Sequence, residues 1–152
     1  MSSRGRCETP GRRTTERQET VGGPPWQLPV AMLLAAAVAQ VVGAVALVVA
    51  APDLARGVSY GPAQLGAVHL VGVAFLTVAI AGALQQLVPV LMRQRVGGTA
   101  RSAVSAVALT AGAWSLSLGL WSGREPAIAA GGALLVAGGL VLVVDLVLAA
   151  AG

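Results

Sequence analysis

The sequence predicts an all-α integral membrane protein with four transmembrane helices in an up-down arrangement, and three observations support this. Apolar residues make up 56% of the chain and charged residues only 11%. Most apolar residues fall into four runs with little or no charge, at about 30–51, 65–92, 103–121 and 127–151. At about 1.5 Å per helical residue, such runs match a hydrocarbon core of about 30 Å. The polar segment before them, 1–25, is rich in charge and poor in hydrophobic residues, so we expect a disordered tail.

The first run carries one polar group, Gln40, near its middle. We expect this amide to form an interhelical hydrogen bond, because an unpaired amide in lipid is costly. Small residues that would allow close helix approach recur every four positions, at Ala35, Ala39 and Gly43. Pro52 and Asp53 are expected to end this helix.

The later runs also contain hydroxyl groups and small residues. Thr110, Ser115 and Ser117 are each expected to bond back to a carbonyl of their own helix. Gly119 and Gly123 have GxxxG spacing, but this is a weak signal for helix packing because one of the two lies at the helix boundary. In the fourth run, two glycine pairs predict a face that is nearly bare of side chains, namely Gly131 with Gly132 and Gly138 with Gly139.

The distribution of arginine predicts the topology. The chain has no lysine, and its ten basic residues are five arginines in the tail, three in 93–101, and the single residues Arg56 and Arg124. Because cytoplasmic segments carry the basic excess, both termini are expected in the cytoplasm. Arginine as the sole basic residue, with abundant Ala, Gly and Val, favours a bacterial inner membrane. The net charge of +4 resides in the tail and loops, so it does not indicate nucleic-acid binding.

Two ionisable residues lie within the predicted spans and are therefore candidates for function. Asp145 is expected near the cytoplasmic surface, where it could reach interfacial water or handle protons. His69, the sole histidine, opens the second span. It could bond to water or a loop carbonyl, or its imidazole could ligate a haem iron. Helical spacing predicts that it shares a face with small and aliphatic residues, at Gly72, Val73, Leu76 and Ile80.

The second span has a further pattern at its end. His69 begins an apolar helix that closes on Gly82-Ala83-Leu84-Gln85-Gln86-Leu87-Val88-Pro89. This resembles the second transmembrane helix of haem–copper oxidase catalytic subunits, on the side of nitric oxide reductases and their oxidase-subunit-I-like relatives. The resemblance covers about 25 residues, and it implies electron transfer in a respiratory chain. It also implies that the His69 imidazole is an axial ligand of a low-spin haem.

In this hypothesis the porphyrin would run past Gly72 towards Leu76, with Arg56 or Arg124 near its propionates. The chain has no second histidine, so it lacks a copper site and the family's oxygen- or nitric-oxide-reducing centre. Whether it forms part of an enzyme therefore stays open. Its expected partners are the lipid bilayer and either other membrane subunits or a missing C-terminal part.

The sequence leaves one alternative function open and disfavours another. A cofactor-free membrane scaffold or assembly protein is the alternative to haem ligation. A four-helix drug exporter is disfavoured, because residues 30–51 lack the carboxylate that such exporters usually carry in the first helix.

Overall fold

The computed structural model describes residues 26–58, 60–92 and 99–151. Each of these stretches is mainly helical, and no strand occurs within them. The helices are α1 (Gln27–Ala55), α2 (Pro62–His69), a π-helical segment (Leu70–Phe75), α3 (Leu76–Met92), α4 (Thr99–Ser122) and α5 (Glu125–Ala151). The predicted disordered tail, residues 1–25, lies outside the described residues.

Four helical stretches of the described chain are long and apolar enough to cross a membrane. The second stretch joins α2, the π-helical segment and α3 without a break, and we call it span 2. The predicted all-α membrane fold with four spans is therefore confirmed.

The first helix extends one turn beyond its predicted end. Pro52 lies inside α1, which continues to Ala55. The helix then closes with Gly57 in a left-handed conformation, at a φ of 82°. The N–H of Gly57 bonds to the carbonyl of Leu54, and that of Val58 bonds to the carbonyl of Asp53, each at 3.0 Å. These two bonds provide donors for carbonyl groups of the last helical turn, which would otherwise lack a partner within the helix.

Helix α1 packs against span 2 through a seam of small residues. Its buried positions alternate in steps of three and four, except near the C-terminal end: Pro29, Met32, Ala36, Ala39, Gly43 and Ala50. This spacing is typical of helices that cross at a shallow angle. Gly43 faces Leu70, whereas Met32 faces Gly82 farther along span 2, so the two helices run antiparallel.

Two details of this seam differ from the sequence-based expectation. Ala39 and Gly43 are buried in it as predicted, but Ala35 lines a groove at its side. The buried Oε1 of Gln40 has no hydrogen-bond donor among the described residues, so the expected interhelical bond to this oxygen is not formed there.

Helices α4 and α5 form the closest pair in the bundle. A Cβ added to Gly112 would meet Leu135 N at 2.8 Å, and one added to Gly138 would meet Leu109 N at 2.9 Å. The Ser105 hydroxyl donates across this interface to the carbonyl of Gly138 at 2.9 Å. Glycine therefore allows the two backbones to touch, as in other tight transmembrane pairs.

The predicted bare face of α5 is resolved into two different faces. Gly131 and Gly138 pack against the backbone of α4, whereas Gly132 and Gly139 have open space around them. Gly119 similarly packs against Ile128, but Gly123 forms the turn after α4 with a φ of 65° and is not an interface residue.

The hydroxyl groups of α4 follow the prediction only in part. Ser117 Oγ bonds back to the carbonyl of Ala113 at 2.8 Å, as expected. Ser115 Oγ instead donates across the interface to the carbonyl of Ala127 at 3.1 Å, so the prediction for this residue is wrong. The start of α5 lies close enough to offer a second acceptor.

Span 2 packs against different helices before and after its π-helical segment. Before it, α2 packs mainly on α4, where Gly66 lies against Ser117 and Trp121. After it, α3 packs mainly on α1. A π-helical turn holds more residues than an α-helical turn, so it rotates the following helix relative to the preceding one. His69 is the last residue before this change.

Candidate functional site

His69 is half-buried at the junction between α2 and the π-helical segment. Its Nδ1 lies 2.7 Å from the carbonyl oxygen of Leu65, one turn earlier in the same helix. A carbonyl oxygen can only accept a hydrogen bond, so Nδ1 carries the proton in this contact. In the neutral ring Nε2 then keeps its lone pair, which is the state of a metal-ligating histidine.

The face predicted to extend from His69 is only partly formed. Gly72, Leu76 and Ile80 are exposed on the outside of the four-helix bundle. Val73 instead packs against the core, so it does not share this exposed face. A Cβ built on Gly72 would have no neighbouring atom within 4 Å, so the space beside the imidazole's helix is open.

Both predicted propionate partners lie at the same end of the bundle as His69. Arg56 follows α1 and forms an ion pair with Asp53 at 3.2 Å. Both side chains of this pair are well exposed, so the pair contributes little stability and leaves Arg56 able to rearrange. Arg124 is exposed in the turn between α4 and α5.

These residues fit a haem group on one side only. His69 offers an unprotonated Nε2, Gly72 offers space, and Leu76 and Ile80 offer an apolar wall. The wall faces outwards, and groups of three or more metal-ligating side chains are absent from the described residues. The other side of a haem and its second axial ligand would have to come from outside the described part of this chain.

A second polar site lies at the opposite end of the bundle. Asp145 is buried at 1% exposure, although the sequence left open that its carboxylate reaches interfacial water. That interpretation is wrong for the side chain itself, because the α4–α5 seam encloses it. Arg101, whose side chain is 53% exposed, instead reaches the carboxylate, with its Nε 3.1 Å from Oδ1.

The Arg101–Asp145 contact is an ion pair by distance but not a hydrogen bond by its geometry. Both carboxylate oxygens are buried, and neither has a hydrogen-bond donor among the described residues. We therefore regard the contact as electrostatic. Attraction between the two charges does not depend on the direction of the N–H bond, whereas a hydrogen bond does.

Three polar residues of the spans were not predicted from the sequence. They are Arg101 and the amides of Gln64 and Gln85, which are buried at 4% and 7% exposure. The spacing of neighbouring residues could have indicated the burial of Asp145 and Gln85. Asp145 follows Gly131 and Gly138 at seven-residue intervals, and Gln85 follows Val78 and Ala81 on the buried seam of span 2.

The described residues also form an apolar groove between α1 and α4, with Met32, Ala35, Ala106 and Trp114 in its walls. Thr110 contributes the sole hydroxyl among the residues that line this groove. With no converging polar or ionisable groups, the groove does not provide a reactive centre.

Comparison of the chain with protein-family models, curated proteins and solved structures finds no match. The resemblance to haem–copper oxidase subunits therefore remains a hypothesis that rests on the residues of span 2.

Proposed function

We propose that this chain is a haem-ligating, four-helix portion of a bacterial membrane oxidoreductase subunit related to the haem–copper oxidases. One observation carries the proposal. His69 is the membrane-embedded imidazole whose Nδ1 proton is already bound by Leu65, so that Nε2 is available to a ligand. The carbonyl fixes both the tautomer and the ring orientation, as hydrogen-bond acceptors do for metal-bound histidines.

The residues around His69 would have distinct roles. His69 would supply one axial ligand, Gly72 the space for the porphyrin, and Leu76 an apolar surface against the ring. Arg56 and Arg124 would pair with the propionates by charge-assisted hydrogen bonds. When bound, haem would supply one-electron transfer. The chain itself would position the iron and exclude water from one side of it.

The open side of this wall requires a partner. We propose that the missing wall and the second axial ligand come from other membrane subunits or from a C-terminal part. In this arrangement the Arg101 end of the bundle faces the cytoplasm, as the arginine distribution predicts. His69 then lies near the outer face of the bacterial inner membrane.

His69→Asn is the sharpest test of the proposal. The Asn side-chain amide can still donate to the Leu65 carbonyl, as Nδ1 does, but it has nothing in place of Nε2. Haem added to membranes containing the wild-type chain should give a high-spin spectrum, which exogenous imidazole converts to low spin by supplying the second ligand. His69→Asn should lose both signals while its membrane insertion and thermal stability stay unchanged.

Gly72→Leu provides a second variant and Gly132→Leu its control. Both glycines have open surroundings, but only Gly72 lies on the His69 face. Gly72→Leu should weaken haem binding, and Gly132→Leu should not. A haem spectrum that persists unchanged in His69→Asn would refute haem ligation by this residue.

The alternative is a cofactor-free scaffold or assembly protein, and a different observation favours it. Of the most apolar window of Glu125–Leu148, only 11% is buried within the bundle. A helix that is so exposed can contact other membrane proteins as well as lipid. Wild-type protein that inserts and folds but gives no haem spectrum, with or without imidazole, would support this function.

A further inference from the structure

A group of polar side chains at the Arg101 end of the bundle is not used by the proposed haem site. Eight ionisable side chains within the described residues can be assigned to an end of the bundle. Six of them lie towards the His69 end: Asp53, Arg56, Tyr60, His69, Arg124 and Glu125. Arg101 and Asp145 are the two at the opposite end.

The position of Asp145 follows from the packing of α5. Gly131 and Gly138 both touch the backbone of α4, and Asp145 is the next residue at the same seven-residue spacing. The carboxylate is therefore carried into the seam rather than towards lipid. Its two oxygens are buried without a hydrogen-bond donor in the described part of the chain. Such groups are costly and usually functional within a membrane.

Gln85 from α3 reaches the same level of the bundle. Gly66 of span 2 lies beside Ser117 and Trp121, hence opposite about residue 119 of the antiparallel α4. Gln85 is 19 residues beyond Gly66, which corresponds to about residue 100 of α4 and so to the level of Arg101. Helix α3 contacts both α4 and α5. Both side-chain polar atoms of Gln85 are buried without a hydrogen-bond partner among the described residues.

We propose that Asp145, Gln85 and Arg101 form an intramembrane proton-binding site that opens to water at the Arg101 end. The Asp145 carboxylate takes up one proton from that aqueous phase and becomes a neutral carboxylic acid. Arg101 stabilises the ionised form across 3.1 Å. The carboxamide oxygen of Gln85 accepts a hydrogen bond from the protonated form.

The half-exposed Arg101 side chain connects this buried site to water. When Asp145 is ionised, its charge and that of Arg101 cancel. When Asp145 is protonated, the guanidinium loses its counter-ion and can extend to the interface, because its long side chain already reaches solvent. Proton uptake thus alters the position of Arg101 and the net charge of the α4–α5 seam.

Labelling with dicyclohexylcarbodiimide in membranes holding the full chain tests this proposal. The apolar reagent accepts the proton of a carboxylic acid while the carboxyl oxygen bonds to its central carbon, and rearrangement leaves a stable acylurea. Mass spectrometry of the wild-type protein then identifies which carboxyl reacts, so the result does not depend on the folding of a variant. Two other carboxyl groups serve as internal controls, namely Glu125, which is exposed, and Asp53, whose side chain is 49% exposed.

We expect labelling of Asp145, increasing as pH is lowered by up to about tenfold per pH unit, the limit for one proton. Asp145→Asn should lose this label entirely, and Gln85→Leu should reduce it by removing the acceptor. Arg101→Gln should increase it at a given pH, because the ionised form loses its counter-charge. Arg101 is the ionisable residue in contact with Asp145 in the described structure, so this variant tests their coupling.

A purely structural ion pair gives a different result. In that case Asp145 would stay unlabelled at every pH at which the bundle remains folded, and Arg101→Gln would lower the thermal stability without producing a label. Either the lack of Asp145 label in wild-type protein or labelling independent of pH would overturn the proposal.

Discussion

The glycine contact between α4 and α5 gives a prediction that two neighbouring residues can test. Gly131 faces α4, and an added Cβ would lie 2.8 Å from both the carbonyl oxygen of Gly112 and Leu116 Cα. Leu116 N would also be in contact. Gly132, the next residue, has no atom within 4 Å of the same added carbon. Gly131→Ala and Gly132→Ala therefore make the same chemical change in opposite surroundings.

The size of the effect follows from these distances. Carbon atoms pack best at about 3.5–4.0 Å, so the backbones must separate by up to about 1 Å to admit the Gly131 methyl group. Overpacking of this kind typically costs about 1–3 kcal/mol, and we expect the upper part of that range because backbone atoms cannot rotate away. Both variants gain up to about 1 kcal/mol of helix propensity, and this gain cancels when they are compared. The two variants should therefore differ by the overpacking cost alone, about 2–3 kcal/mol.

Unfolding in mixed detergent micelles, followed by tryptophan fluorescence, measures this difference. Trp114 and Trp121 both belong to α4, so they report separation of this helix from its neighbours. Gly112→Ala should behave like Gly131→Ala, because it faces the same contact from the other side. Equal unfolding free energies for Gly131→Ala and Gly132→Ala would refute the backbone packing that we describe.

Two further predictions concern the topology and the tail. In a Cys7→Ser background, cysteine at position 59 should react with an impermeant reagent added to intact cells. Cysteine at position 99 should react only after permeabilisation. The opposite labelling pattern would show that the predicted orientation is wrong. Deletion of residues 2–20 should leave the protein in the membrane, because the tail is too polar to contribute buried apolar surface; fractionation of cells would show a loss of integration if the tail were required.

The sequence was sufficient to predict the four spans because they depend on composition and length alone. It also indicated that α5 has a face nearly bare of side chains, since its glycine pairs recur at seven-residue spacing, but it did not indicate that α4 packs on this face. It could not indicate which glycine of each pair faces α4. Gly131 and Gly132 have the same neighbours in sequence, and only the rotation of α5 against α4 distinguishes them.

Sequence patterns could not predict the π-helical segment, and the reason is physical. Leu70–Phe75 has the apolar composition of an ordinary transmembrane helix. It lies between two tertiary contacts that composition does not reveal, where Gly66 fits against α4 and Gly43 of α1 fits against Leu70.

Asp145 and His69 meet the cost of burial in different ways, and this difference bears on their roles. Asp145 depends on another helix, because Arg101 supplies its counter-charge. His69 needs only Leu65 of its own helix, and that bond involves one ring nitrogen. An amide donor in its place would satisfy the same carbonyl, so packing alone gives no reason for the second nitrogen. His69→Asn removes Nε2 but keeps a donor for the Leu65 carbonyl. This variant therefore distinguishes a metal-ligating histidine from a structural one.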